Sequence, residues 1–147
     1  SLVHSKTFFI MTIGMSLGAF YLKSFFFWMP SFLLSAWSQT PSVYEGISFP
    51  TIITTKSMAE LAGTLTGLPL LVWVAEQFQF GFSFCSRSSL GFPRAIPIIV
   101  TLTTLAAAAA ALGQIHFSTH SYAGLLISSF TNSFMGAPVM SLGNRYL

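Results

Sequence analysis

Four long apolar stretches, divided by short polar segments rich in turn residues, govern what this chain can fold into. A helix needs about 20 mostly apolar residues to cross a bilayer. The stretches that qualify run roughly over residues 8–37, 49–77, 95–117 and 122–142. The separators read SQTPSVYEG, then QFGFSFCSRSSLGFPR, then HFSTHS, with Pro93 and Pro97 bracketing entry to the third stretch. Only 6% of the 147 residues are charged and 53% are hydrophobic, and no Asp occurs. A typical soluble domain is about 25% charged. These residues do not make the polar surface that a soluble domain of this size needs. The expectation is an all-α polytopic membrane protein with four transmembrane helices. The first stretch is too long and too internally charged for a secretory signal peptide. The single cysteine, Cys85, allows no internal disulfide.

Orientation follows from the basic residues, which gather on the cytoplasmic side of membrane proteins. With the N-terminus cytoplasmic, Lys6, Arg87, Arg94 and Arg145 all fall inside. The two opposite connections, 38–48 and 118–121, hold no Lys or Arg. Phe25 to Trp28 and Trp37 then lie toward the outer end of the first helix, where interfacial aromatics are expected.

Lys23 stands inside the first apolar run with no charged neighbour in sequence. A rise of 1.5 Å per residue puts it roughly 21 Å above the cytoplasmic edge. Glu60, on a helix entering from the other side, comes out some 18 Å above that edge in a core of roughly 30 Å. Lys56 lies one turn from Glu60 on the same face. Lys23, Lys56 and Glu60 are thus expected to form one charged cluster within the bundle. Intramembrane charges usually face a bundle interior or a water-filled cavity. Three readings stand open for Lys23: part of a substrate or proton pathway, a structural pair with Glu60, or a side chain snorkelling to the outer interface.

Gly63 and Gly67 form a GxxxG spacing followed by Pro69, a pattern that lets two helices approach closely. Helix packing is the expected role, with a hinge at Pro69 as the alternative. Ala106 to Ala111 and Gly113 offer a second smooth surface. The fourth helix is polar, with Ser128, Ser129, Thr131, Asn132 and Ser133. Those side chains are expected either to line a cavity or to bond between helices. Gly136 is counted among the packing residues, and Pro138 is expected to kink this helix.

Enzymatic chemistry has little to work with. A hydrolytic triad needs a carboxylate orienting a histidine beside a nucleophile, and no such constellation is evident. His116 and His120 are spaced as metal ligands can be, but no third ligand accompanies them, so no metal is expected. No GxxxxGK[ST] loop occurs. A net charge of +3, scattered along the chain, gives no nucleic-acid surface. The expectation is no enzyme, no cofactor and no nucleic-acid partner.

Three stretches carry a family resemblance. FFFWMPSFLL (Phe25 to Leu34), TKSMAELAGTLTGLPLLVWVAEQF (Thr55 to Phe78) and RAIPIIVTLTTLAAAA (Arg94 to Ala109) resemble the seventh, eighth and ninth helices of a major facilitator superfamily transporter. Within that superfamily the chain looks most like the spinster family of sphingolipid and lysolipid transporters. SSFTNSFMGAPVMSLGNRYL (Ser128 to Leu147) is similar to the tenth helix. It keeps Gly136-Ala137-Pro138 but lacks the family's Trp and its following Asp.

The resemblance implies secondary transport of a small amphiphilic or lipid-like solute, in the plasma membrane or an endolysosomal one. Its implied partners are membrane lipids, that solute, and the missing helices of the same transporter, of which this chain would be a fragment. It makes Lys23 a candidate to contact an anionic headgroup, or to pair with Glu60 in one state and release it in another, with Lys56 and Asn132 nearby. The alternative is a small four-helix membrane scaffold, or a truncated non-transporting product, that binds partners through its Gly and Ala faces.

Overall fold

A computed structural model describes residues 6–85 and 92–145, with side chains described chiefly over 24–71 and 101–136. The chain is all-helical: α1 spans Lys6–Gln39, α2 Phe49–Cys85, α3 Phe92–Phe117 and α4 Tyr122–Arg145. No strand occurs among the described residues. The chain divides into two units, Ser1–Gln39 and Thr40–Leu147. The first is α1; the second holds α2, α3 and α4.

The helix ends follow from local chemistry. Ser48 precedes α2, and its carbonyl accepts the first helical bond from Ile52 N at 3.2 Å. Pro50 sits in the first turn, where a missing N–H costs nothing. Ser121 caps α4: its hydroxyl accepts from Gly124 N at 3.2 Å and its carbonyl from Leu125 N at 3.0 Å. The connection before α2 turns at Gly46, whose φ of 73° is left-handed backbone open to glycine. α3 gives way to α4 within one tight turn, where His120 N and Ser121 N both donate to Phe117 O, at 3.1 and 2.8 Å.

α2 continues to Cys85, past the end expected near Gln77. The stretch taken as a separator begins with Gln79, Phe80 and Gly81, none of which breaks a helix outright. After Pro69 no proline occurs before Pro93. Pro30 and Pro69 lie inside α1 and α2. Helix also runs through the position of Pro138 in α4, whose side chain lies outside the described residues.

In the second unit α4 packs along α2 and along α3. Burial picks out one stripe per helix: Ile52, Lys56, Gly63 and Gly67 on α2; Thr103, Ala107, Ala111, Gln114 and Ser118 on α3 and the turn after it; Leu125, Ser128 and Ser129 on α4. The spacings are three, four or seven residues, apart from the adjacent Ser128 and Ser129, and so keep each stripe to one helix face. Along α1, Met29, Leu33 and Ala36 make a corresponding stripe, while Phe26, Phe27 and Trp28 are exposed. Among the described residues, no helix is long and apolar enough to cross a membrane.

Candidate functional site

The GxxxG segment of α2 lies directly against the α4 backbone. A Cβ on Gly63 would press on Phe130 O and stand 3.0 Å from Phe134 N. One on Gly67 would stand 2.7 Å from Phe134 Cα. Both approaches are closer than real Cβ atoms tolerate, so only hydrogen fits and the two backbones touch. At the first residue of α4, Thr55 and Tyr122 share a hydrogen bond through their hydroxyls. Together these contacts fix a parallel register in which the Lys56–Glu60 segment faces the first half of α4.

In the α3–α4 contact the glycines face side chains rather than backbone. A Cβ on Gly113 would lie 3.4 Å from Ser128 Cβ, and one on Gly124 would run into the Phe117 ring at 2.6 Å. Gly136 faces Ala107 with more room, 4.0 Å for the same construction. The register is antiparallel: Gly113 lies against Ser128 and Gly124 against Phe117. Pro69 continues α2 beyond this contact and is exposed.

Within this frame Lys56 pairs with Glu60, four residues on, its Nζ donating to Oε1. Lys56 is only 7% exposed, and Glu60 is half-buried. The two opposite charges make the site neutral as a whole. The Ser and Thr hydroxyls of these helices turn inward on their own backbone. Thr55 donates to Thr51 O at 2.8 Å, Thr64 to Glu60 O at 3.0 Å and Ser128 to Gly124 O at 2.5 Å. Asn132 is half-buried, one turn beyond Ser128 and Ser129 on α4. Gln114 and Ser129 are both 0% exposed, and neither the Gln114 amide atoms nor Ser129 Oγ has a hydrogen-bond partner.

At the end of the unit where the connection before α2 meets the α3–α4 turn, Tyr44 is buried and donates to Ser118 O at 2.5 Å. Its ring stands edge-on to Tyr122, with centroids 5.9 Å apart. Burial pushes the Tyr44 phenol above its ordinary value, and Tyr122 adds to the shift. His116 and His120 stack at 4.4 Å on the exposed end of α3. Among the described residues no group of three or more metal-ligating side chains comes together.

Of the expected site residues, the structure brings Lys56 and Glu60 into direct contact and sets Gly63 and Gly67 against α4. Lys23 lies within α1 in the other unit, and its side chain is outside the described residues, as is that of Pro138. Sequence reasoning passed over Gln114 and the Tyr44–Ser118 contact. The signal for Gln114 was present: it continues the Thr103, Ala107, Ala111 spacing, so a polar residue falls on the packed face of an alanine-rich helix. No protein-family model matches the chain, and no curated protein or solved structure does either.

Proposed function

We propose that the chain forms membrane-embedded helices of a secondary transporter for a small amphiphilic or lipid-like solute, of the major facilitator, spinster-like kind, working together with further helices of the same transporter. The observation that carries the reading is the distribution of polarity in the second unit. Its interior holds Lys56, Thr103, Gln114, Ser118, Ser128 and Ser129, while Leu61, Leu65, Trp73, Leu105, Leu112 and Ile127 are exposed. Large contiguous apolar surfaces mark contact with membrane or protein. In lipid, polar groups must find partners inside the structure.

The polar residues that dilute these helices weigh less than their composition suggests. Thr54 and Thr66 are exposed and Thr131 is half-buried, yet each hydroxyl donates to the carbonyl four residues back, at 2.9, 2.7 and 2.9 Å. Such bonds reduce the cost of placing a hydroxyl in hydrocarbon. Lys56 and Glu60 neutralise each other in the same way. On this reading the Lys56–Glu60 pair and Asn132 flank the solute path, and Lys23 is the residue of α1 on which transport depends.

The scaffold reading is less well supported by the packing, because the Gly63–Gly67 face is already occupied by α4. The test is uptake of a fluorescent lysophospholipid by cells making the native protein, compared with Lys23→Ala and Asn132→Ala at matched membrane levels. Transport predicts uptake above empty cells and a clear loss in both variants. Uptake no greater than in empty cells would overturn the assignment.

A further inference from the structure

At the exposed end of the second unit, where α3 gives way to the turn before α4, we infer a binding site for one divalent transition-metal ion, made by the imidazoles of His116 and His120. The site does not depend on the transport reading. Histidines four residues apart along a helical turn lie on one face, a spacing at which two imidazoles reach a single ion. Here the rings stack with centroids 4.4 Å apart and planes 14° from parallel. Two nitrogens held by one ion at roughly 2.0–2.1 Å stand about 3–4 Å apart, depending on the angle between them. A small turn of each ring about its Cβ–Cγ bond therefore brings two lone pairs onto one point, with no change of backbone.

Local bonds select the ligand atom of His120. Its Nδ1 lies 2.8 Å from His116 O and 2.8 Å from Thr119 Oγ. A carbonyl only accepts, so Nδ1 carries the proton and donates it. Nε2 of the neutral ring then keeps the lone pair. Metal-binding histidines commonly donate their other ring N–H to a backbone carbonyl in this way, which fixes both tautomer and orientation. The Thr119 hydroxyl donates to the same carbonyl at 3.0 Å. The His116 ring stands edge-on to Phe117, with centroids 5.3 Å apart. Both histidines are exposed, so an ion enters from solvent and keeps water on its remaining positions. Two protein ligands fall short of a structural or catalytic zinc site. They form an open chelate, and imidazole nitrogens suit Cu²⁺, Ni²⁺ and Zn²⁺ rather than Mg²⁺ or Ca²⁺. The ion ties the last turn of α3 to the residues that follow, on either side of Ser118, whose carbonyl holds Tyr44.

Cu²⁺, first in the general order of affinities, is the probe. It is added to the full chain in detergent micelles, with His4→Ala and Cys85→Ser removing the remaining histidine and the thiol. Electron paramagnetic resonance should show one bound ion per chain, split by two nitrogens. His116→Ala and His120→Ala should each weaken binding about tenfold or more, because each destroys the chelate. Both changes fall on exposed side chains away from the packed stripes. Splitting by fewer than two nitrogens before either change, or a smaller loss of affinity in either variant, would overturn the inference. Thermal unfolding gives a second readout. An ion bound only by the folded pair raises the melting midpoint, and the rise should vanish in both variants. No rise, or one that persists without either histidine, would also overturn it.

Discussion

Lys56 and Tyr44 show how single side chains hold the second unit together. Removing one partner of a buried ion pair leaves a charge that burial penalises, whereas removing both leaves none. Lys56→Met is therefore expected to destabilise the unit by about 3 kcal/mol. The double change Lys56→Met with Glu60→Leu should recover most of that loss. Equilibrium unfolding in mixed micelles checks the difference between the two. Tyr44 donates to a backbone carbonyl from a buried ring. Tyr44→Phe should cost about 1–2 kcal/mol through the lost bond and the carbonyl left behind.

Burial raises the Tyr44 phenol above the ordinary value of 10.0, so the folded state holds this proton more tightly than the unfolded chain. The stabilisation is complete below that value and is lost as pH rises from it toward the raised folded-state value. Unfolding midpoints compared from neutral to strongly alkaline pH should therefore fall more steeply for the unaltered chain than for Tyr44→Phe. Parallel slopes would contradict the assignment of the shift to this residue.

Among the helices, the α2–α4 contact is the most demanding. Gly67 leaves no room for a methyl group beside Phe134 Cα, so Gly67→Ala is expected to cost about 1–3 kcal/mol by forcing the backbones apart. Gly136→Ala, with 4.0 Å to Ala107, should be nearly neutral. Thermal unfolding of the two variants side by side makes the comparison.

The four helices were legible in the sequence because long apolar runs and turn residues are local signals. The GxxxG spacing was legible too, but its partner was not. Nothing local ties Gly63 and Gly67 to Phe130 and Phe134 on α4. The extension of α2 to Cys85 was hidden because Gly81 and Ser83 occur in turns and helices alike. Lys56 with Glu60 could be read from their spacing of four, the natural reach along one helix face. The α3–α4 register, with Gly113 against Ser128, is likewise supplied only by the packed structure.

For the molecule as a whole, the proposed account turns on what surrounds the apolar outer faces. The exposed side chains of α2, α3 and α4 include Met58, Leu61, Leu65, Leu102, Leu105 and Ile127. If these face lipid, the chain made in cells should remain with the membrane pellet after an alkaline carbonate wash that strips peripheral proteins. Recovery in the supernatant would count against embedding. The most direct measurement is the environment of Leu65, a residue 65% exposed on α2. A nitroxide is attached at Leu65→Cys, in a Cys85→Ser background, and the chain is reconstituted into phosphatidylcholine vesicles. The account predicts strong relaxation by oxygen, which concentrates in the bilayer, and little by a water-soluble nickel chelate. Strong relaxation by the chelate, with little by oxygen, would place this face in water and contradict the account.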